Sequence, residues 1–514
     1  MNPELRGKPP LALAFAAVLL LGGCTSPREY LDNGFKVGPN YSRPQAPVAE
    51  HWIDEADQRL REDSQIPCRW WTVLKDPVLD GLIVQASTQN LTLRQAGFRI
   101  LEARAQLGIA RGDVFPQQQF MSGGYDRLGA GGSFLSQWNW GFTLAWELDF
   151  WGRFRRAVQA ADAQLDASIA GYDDVLVTLL ADVANNYVTI RVRQEQIRLL
   201  DENIAIQQFV LTVGEERLRA GTITSVDVDQ VRSNLLQNQA QREQLYVSLR
   251  QTSDALSILL GQPPRNLVEE LGAGSIPAAP TEVAVGIPAD LLRRRPDVRR
   301  AERRVAAQAE QIGIATADLY PAIAIHGSLG YQAQNLSHLF TSDAFTGSVG
   351  PSFRWDLLNY GRLANNIYFQ NAALGESVAF YQDTVLAASA EVEDGFVFFL
   401  RAQERARLYD QSAAAARSAV DAIQGQLLHG RIDYNQYATI QQTLIQTQTL
   451  AAQAHGDIAF GLIQVYRALG GGWEIRQANW NSLGGVTGQG AAPDAGTRPA
   501  KELEAVPKPP AESK

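Results

Sequence analysis

The chain has 514 residues, 45% of them hydrophobic, with a net charge of −9 and a pI near 5.3. That length predicts about two to four structural units with a sizeable core, and the acidic balance argues against a nucleic-acid partner, because phosphate binding rests on Lys and Arg. Two cysteines and five scattered histidines exclude a disulfide scaffold and the usual zinc sites, and neither a P-loop nor a G-x-S-x-G elbow occurs. No enzyme is predicted, and with it no catalytic residue, cofactor or metal.

Residues 1–23 read as a lipoprotein signal peptide. Arg6 and Lys8 supply basic charge ahead of an apolar core, Leu11 to Leu21. That core is too short for a mature membrane span, which takes about 20 residues. Leu21-Gly22-Gly23-Cys24 follows and resembles the lipobox of bacterial lipoproteins, which makes Cys24 the expected lipidated residue. By the common sorting rule, Thr25 in place of Asp favours the outer membrane. Cys68 is then left alone, as a redox-active thiol or, the favoured expectation, as a small buried filler beside Trp70 and Trp71. No later stretch holds 18 consecutive apolar residues, so no transmembrane helix is expected in the mature chain.

After an N-terminal anchor and extended segment (24–69), the sequence repeats itself. Residues 70–264 resemble 287–473 across a Gly/Ala/Pro-rich connection (265–286), and a tail (474–514) has a disordered composition. Gly108-Ile109-Ala110 with Phe115-Pro116 matches Gly313-Ile314-Ala315 with Tyr320-Pro321 at an offset of 205. Trp151-Gly152-Arg153 matches Tyr360-Gly361-Arg362 at 209, as do Gly221 with Gly430 and Leu260-Gly261 with Leu469-Gly470. The second copy is longer by about four residues, expected in a strand-to-strand loop.

Each copy reads helix, two strands, then a hairpin of very long helices. Leu165, Ile169, Tyr172, Leu176, Leu179 and Val183 form a heptad seam, and Leu374, Val378, Tyr381, Val385, Ala388 and Val392 repeat it 209 residues later. Such helices should pack as coiled coils. No proline lies between Gly152 and Gly221, which leaves room for about 100 Å of helix. Gly221 and Gly430 are the predicted hairpin turns, and Gly152 and Gly361 the strand-to-helix corners.

Trp140, Phe142, Leu144, Trp146, Leu148 and Phe150 alternate with Gly141, Thr143, Ala145, Glu147 and Asp149. The second copy alternates Phe345, Val349, Phe353, Trp355 and Leu357 with Thr346, Ser348, Ser352, Arg354 and Asp356, and carries Ile323, Ile325, Leu329 and Tyr331 in the strand before. A less regular strand is expected near Gln117 to Arg127. Strands of about 9–11 residues with terminal aromatics suit a tilted membrane barrel. A half-buried strand of a soluble sandwich would alternate similarly; the lipobox favours the barrel. Four strands cannot close a barrel, and open edges in lipid leave backbone groups unpaired. The chain is therefore expected to share its barrel with copies of itself.

These features are joined by Val37-Gly38-Pro39-Asn40-Tyr41-Ser42-Arg43-Pro44, by Trp70-Trp71 with Asp76-Pro77-Val78-Leu79, and by Ile287-Pro288-Ala289-Asp290-Leu291-Leu292-Arg293-Arg294-Arg295-Pro296-Asp297-Val298-Arg299. Together they resemble the TolC-like outer membrane factors, specifically the NodT-type lipoprotein branch, over about residues 20 to 475. The resemblance implies an α+β membrane protein, a long α-helical coiled-coil barrel plus four β-strands per protomer, completing a twelve-strand β-barrel in a homotrimer. It implies a passive exit duct in outer-membrane lipid with its helical tunnel in the periplasm. A periplasmic adaptor and an inner-membrane pump, usually of the proton-driven resistance-nodulation-division type, would deliver small molecules to it. The alternatives are a duct for ABC-driven protein secretion and a coiled-coil scaffold without a channel. The arginine run from Arg293 to Arg304 reads as ion-paired structure at a helix junction, with Asp290 and Asp297 as helix N-caps.

In that family the tunnel narrows at the hairpin ends, where acidic rings often bind cations. Here Asp227 follows Gly221 by six residues, with Asp229 close by. The second hairpin, which forms the inner ring in the family, has Gln436 at the equivalent position and Thr439 where an acid is also common. Asp433, Tyr434, Asn435 and Tyr437 surround them. The expected gate is held by Tyr and Gln hydrogen bonds and lacks the cation affinity of a carboxylate ring. The alternative is that these side chains face neighbouring helices.

Overall fold

The computed structural model describes residues 26–62, 68–428, 432 and 434–476. Cys24, Gly430, Asp433 and nearly all of the tail lie outside them. The chain opens with α1 (Pro27–Asp32), N-capped by Ser26, and runs extended to β1 (Leu60–Glu62). The first copy holds α2 (Pro77–Gln89), α3 (Leu91–Gly112), β2 (Gln118–Ala130), β3 (Ser133–Leu148), α4 (Arg153–Arg219) and α5 (Ser225–Leu259). The connection carries α6 (Leu267–Leu271) and β4 (Val283–Val285), which pairs in parallel with β1. The second copy holds α7 (Pro288–Arg294), α8 (Pro296–Ala317), β5 (Ala322–Ala333), β6 (Phe345–Arg354), α9 (Arg362–Leu428) and α10 (Tyr434–Ala468).

The repeat is written in the helix lengths. Both α4 and α9 have 67 residues, α5 and α10 have 35, and α3 and α8 have 22. The long helices run about 100 Å at 1.5 Å per residue, and side-chain burial sustains them. Leu176, Leu179 and Val183 are buried in the first seam. In the second, Tyr381, Val385 and Ala388 pack on Val298, Ala301 and Val305 of α8. The second copy places its extra length in two regions, the β5–β6 loop and the corner between Trp355 and Gly361.

Each long helix is covered along its length by two shorter ones. Helices α5 and α3 lie along α4, and α10 and α8 lie along α9; α4 also packs on α8 and α10. The helical layer therefore runs α3–α4–α8–α9 near the strands and α5–α4–α10–α9 toward the tips. The sheet runs β2-β3-β5-β6, antiparallel throughout. Both layers stay open at the same two sides, β2 with α3 on one and β6 with α9 on the other.

Two junctions join the shorter helices into continuous columns. Asn90 breaks what periodicity predicts as one helix into α2 and α3. Its Oδ1 caps α3 by accepting from Leu93 N at 2.8 Å, and its Nδ2 donates to the carbonyl of Leu259, the last residue of α5, at 2.9 Å. In the second copy Arg295 takes that place, donating to the carbonyl of Ala468 at 2.6 Å and pairing with Asp297 and Glu391 at 2.8 and 2.7 Å. The expected N-caps are corrected here. Arg295 holds the cap position of α8, Asp297 sits in its first turn, and Asp290 falls inside α7. Three further arginines of the run pin α8 to α4: Arg299 meets Asp173 at 3.6 Å, Arg300 meets Asp174 at 3.0 Å and Arg303 meets Asp166 at 3.8 Å.

The N-terminal segment is a strap across α4, α8 and α9. Arg156, fully buried, donates to the carbonyls of Val37 and Gly38 and pairs with Glu310 at 2.7 Å. Tyr41 donates to Glu302 at 3.2 Å, and Gln382 donates to the Gln45 carbonyl at 3.0 Å. The expectation for Cys68 is overturned: it is exposed, and the core beside it is filled by Trp70, stacked on Tyr466 at 5.7 Å, and by Trp71.

Candidate functional site

In an antiparallel sheet, residues paired across strands point to one face. The register places Met121, Phe142 and Leu329 together, then Trp140, Tyr331 and Phe345, and Leu148, Ile323 and Phe353. The opposite face collects Thr143, Ser328 and Ser348, then Asn139 with Gln332, Asp126 with Gln137, and His326. Ser328 and Ser348 hydrogen-bond across the strands at 2.8 Å, and Asn139 Nδ2 donates to Asp126 at 3.2 Å. Phe120 and the Leu128–Leu135 pair beside the hairpin are apolar exceptions on this polar face. One face suits hydrocarbon, and the other suits water.

Aromatics mark both ends of the apolar face. Tyr125 and Trp138 lie 4.6 Å apart at the loop end, and Tyr331 contacts Phe340 and Phe345 at 5.5 and 5.7 Å. At the helix end Trp151 stacks on Tyr320 at 4.5 Å. Indole N–H groups of Trp146, Trp151 and Trp355 there donate to the carbonyls of Val114, Pro321 and Leu319, as expected of amphipathic rings at a membrane interface. Strands β2 and β3 have 13 and 16 residues, longer than the span alone requires. They close through Gly131-Gly132, both at positive φ. That Gly-Gly pair is a hairpin signal which the alternation pattern alone passed over.

The two corners differ. Gly152 and Gly361 have φ of +84° and +79°, where a β-branched residue is strained. At Gly152 a Cβ would also stand 2.5 Å from Cγ of Lys36, whereas at Gly361 the nearest atom is Asn365 Nδ2 at 3.4 Å. Asp149 completes the first corner, accepting from the backbone N–H of Phe154 and Arg155.

At the tip, α4 ends at Gly221 (φ +70°) in a Schellman closure, Thr222 N donating to the Arg217 carbonyl and Gly221 N to that of Leu218. Asp227 belongs to the capping box of α5: Thr224 N and Oγ1 donate to it at 3.0 and 2.7 Å. Those bonds hold its carboxyl below the usual range. Asp229 pairs with Arg232 at 3.2 Å. The expected phenol ring is corrected by the fold. Tyr434 and Tyr437 are 3% and 1% exposed, packed inside the protomer among Val210, Val231, Val420, Leu427 and Leu444. Burial pushes the Tyr437 phenol up to about 12. Gln436 and Thr439 face outward, Thr439 donating back to the Asn435 carbonyl at 2.9 Å. Arg217, unmarked by any motif, donates to the Leu427 carbonyl at 2.9 Å and ties α4 to the end of α9. Among the described residues no group of three or more His, Cys, Asp and Glu could hold a metal.

A four-strand sheet with one polar and one apolar face, carried on long paired helices, is the architecture of an outer-membrane channel subunit. The chain belongs to the outer membrane efflux protein family, whose model matches residues 82–262 and 287–471. It is 29% identical to Nodulation protein T of Rhizobium leguminosarum bv. trifolii, over 85% of this chain and 92% of that one. It is 30% identical to the pyoverdine export outer membrane protein OpmQ of Pseudomonas putida, over 79% and 88%. The solved outer-membrane channel OprN superposes with a TM-score of 0.80 at 30% identity, over 85% of this chain and 99% of that one. The CmeC outer membrane channel of Campylobacter jejuni shares the fold, with a TM-score of 0.78 at 20% identity over 85% and 94%. The chain is thus an outer-membrane exit duct.

Proposed function

We propose that the duct is a homotrimer, anchored in the outer membrane by acylated Cys24, that passively conducts small molecules from a periplasmic adaptor and an inner-membrane pump of the resistance-nodulation-division type. The observation that carries this reading is the pair of shared open edges. The sheet ends at β2 and β6 and the helical layer at α3 and α9, on the same two sides. Unpaired strand edges cannot stand in lipid, and closing them with copies of the chain closes the helical layer as well. Phe98 and Leu101 on α3 and Phe369, Phe380 and Leu386 on α9 are exposed in one protomer; burying them between protomers stabilises the closed ring.

The polar sheet face then lines the pore. Its hydroxyl and amide side chains solvate a passing solute without gripping it. The anchor fits the geometry, since Tyr30 of α1 donates to the Phe150 carbonyl at 2.6 Å and so holds the chain, six residues after Cys24, against the base of the strands. In planar bilayers the purified full-length protein should open discrete ion-conducting channels. Protein that inserts into bilayers and never conducts contradicts the duct. Mass spectrometry of the mature N-terminus should find Cys24 acylated, and Cys24→Ser should impair sorting more than conductance.

A further inference from the structure

At the base of the strands, beside the strap, a groove of about 660 Å³ opens between the end of α3 and the start of α4. Its apolar wall is Val114, Phe115 and Val158, and Phe115 is 67% exposed. Three cations border it, and they differ in how they are satisfied. Arg155 is committed to Asp149 at 2.9 Å and to the carbonyls of Gly34 and Phe35. Among the described residues, Lys36 hydrogen-bonds only to the neutral amide oxygen of Gln159, at 2.9 Å. Arg111 has no hydrogen bond or ion pair among the described residues. Burial, with Arg156 and Arg155 nearby, outweighs the Glu310 carboxylate and pushes the Lys36 ammonium down; Glu310 itself is paired with Arg156. The Lys36 stem lies against Gly152, which fixes where its head group can reach.

The groove lies at the membrane boundary. Val114 accepts from the Trp146 indole, and Val37, next to Lys36, donates to the Trp151 carbonyl. We propose that the groove binds an anionic phospholipid of the periplasmic leaflet, Lys36 and Arg111 holding its phosphate and Phe115, Val114 and Val158 taking the upper acyl chain. This rests on the outer-membrane placement of the sheet. The acyl groups of a lipidated Cys24 are uncharged and would leave both cations unmet, so charge complementarity selects the phospholipid.

The test uses full-length protein incubated with equal phosphatidylglycerol and phosphatidylcholine, with retained lipid read by native mass spectrometry. The wild type should retain phosphatidylglycerol preferentially, with each cation contributing about fivefold. Lys36→Gln with Arg111→Gln should bring the two lipids to parity, while Lys36→Arg keeps the preference and Cys24→Ser leaves it unchanged. Equal retention by the wild type overturns the site. A preference indifferent to both glutamines, or one abolished by inorganic phosphate, overturns it too. If a preference emerges only in Cys24→Ser, the protein's own acyl chain fills the groove and the proposal fails. Tryptophan quenching by brominated phosphatidylcholine in vesicles separates this from the placement: unquenched wild-type protein would mean that the strands do not insert.

Discussion

Arg295 donates to the carbonyl of Ala468 at 2.6 Å and so joins the end of the returning helix α10 to the start of α8. Asn90 does the same for Leu259 and α3 at 2.9 Å. One junction uses a charge and the other a neutral amide, so they should fail differently. Arg295→Ala strips the partner from Asp297 and Glu391 and leaves a buried carbonyl unmet, a loss of about 3 kcal/mol. Asn90→Ala removes a cap and one carbonyl bond, about 1–2 kcal/mol. Denaturation midpoints of the two variants should fall in that order.

The corner glycines are predicted to be unequal. Gly152→Val meets a left-handed backbone, worth about 1–2 kcal/mol, and collides with the Lys36 stem. Gly361→Val meets the backbone penalty with only Asn365 in reach. Assembled protein recovered from membranes should drop for both and further for Gly152→Val. Equal yields would refute the role given to Lys36.

Periodicity made β3, β5 and β6 legible because their apolar and polar sides alternate cleanly. It was weaker for β2, where Gly123, Gly124 and Gly129 interrupt the pattern. The strap was not legible, since its bonds join distant residues such as Val37 and Arg156. Tip side chains escaped for another reason. Whether Tyr434 and Tyr437 face an aperture or a neighbour depends on the rotation of α10 about its own axis, which spacing does not fix. Cys68 was misplaced because composition could not tell that Trp70 and Trp71 fill the core without it.

The tip makes two opposite predictions. The Tyr437 hydroxyl is buried with no partner among the described residues. Tyr437→Phe should therefore raise stability by about 1 kcal/mol and leave closed-state conductance unchanged. Gln436 faces outward beside Thr439. Wild-type conductance should respond weakly to multivalent cations, and Gln436→Asp should create strong cation block. Tight block in the wild type that Asp227→Asn abolishes would place the gate in the first hairpin.

The strap should loosen in acid. Arg59 holds the Asp57 carboxyl at about 2, below its ordinary 3.8. A depressed folded value means that this contribution is complete above about pH 4 and is lost as the pH falls through about 2. Hydrogen exchange over residues 52–61 should stay constant from neutral pH to about 5 after correction for intrinsic rates, and rise toward pH 2. In Asp57→Asn the rise should be absent.

A four-strand sheet open at β2 and β6 cannot close a barrel by itself. The most direct measurement is the mass of the detergent-solubilised full-length protein, taken with its strand content by circular dichroism. Three chains per particle with strands intact is the predicted result. A stable single chain with its strands folded would overturn the shared barrel.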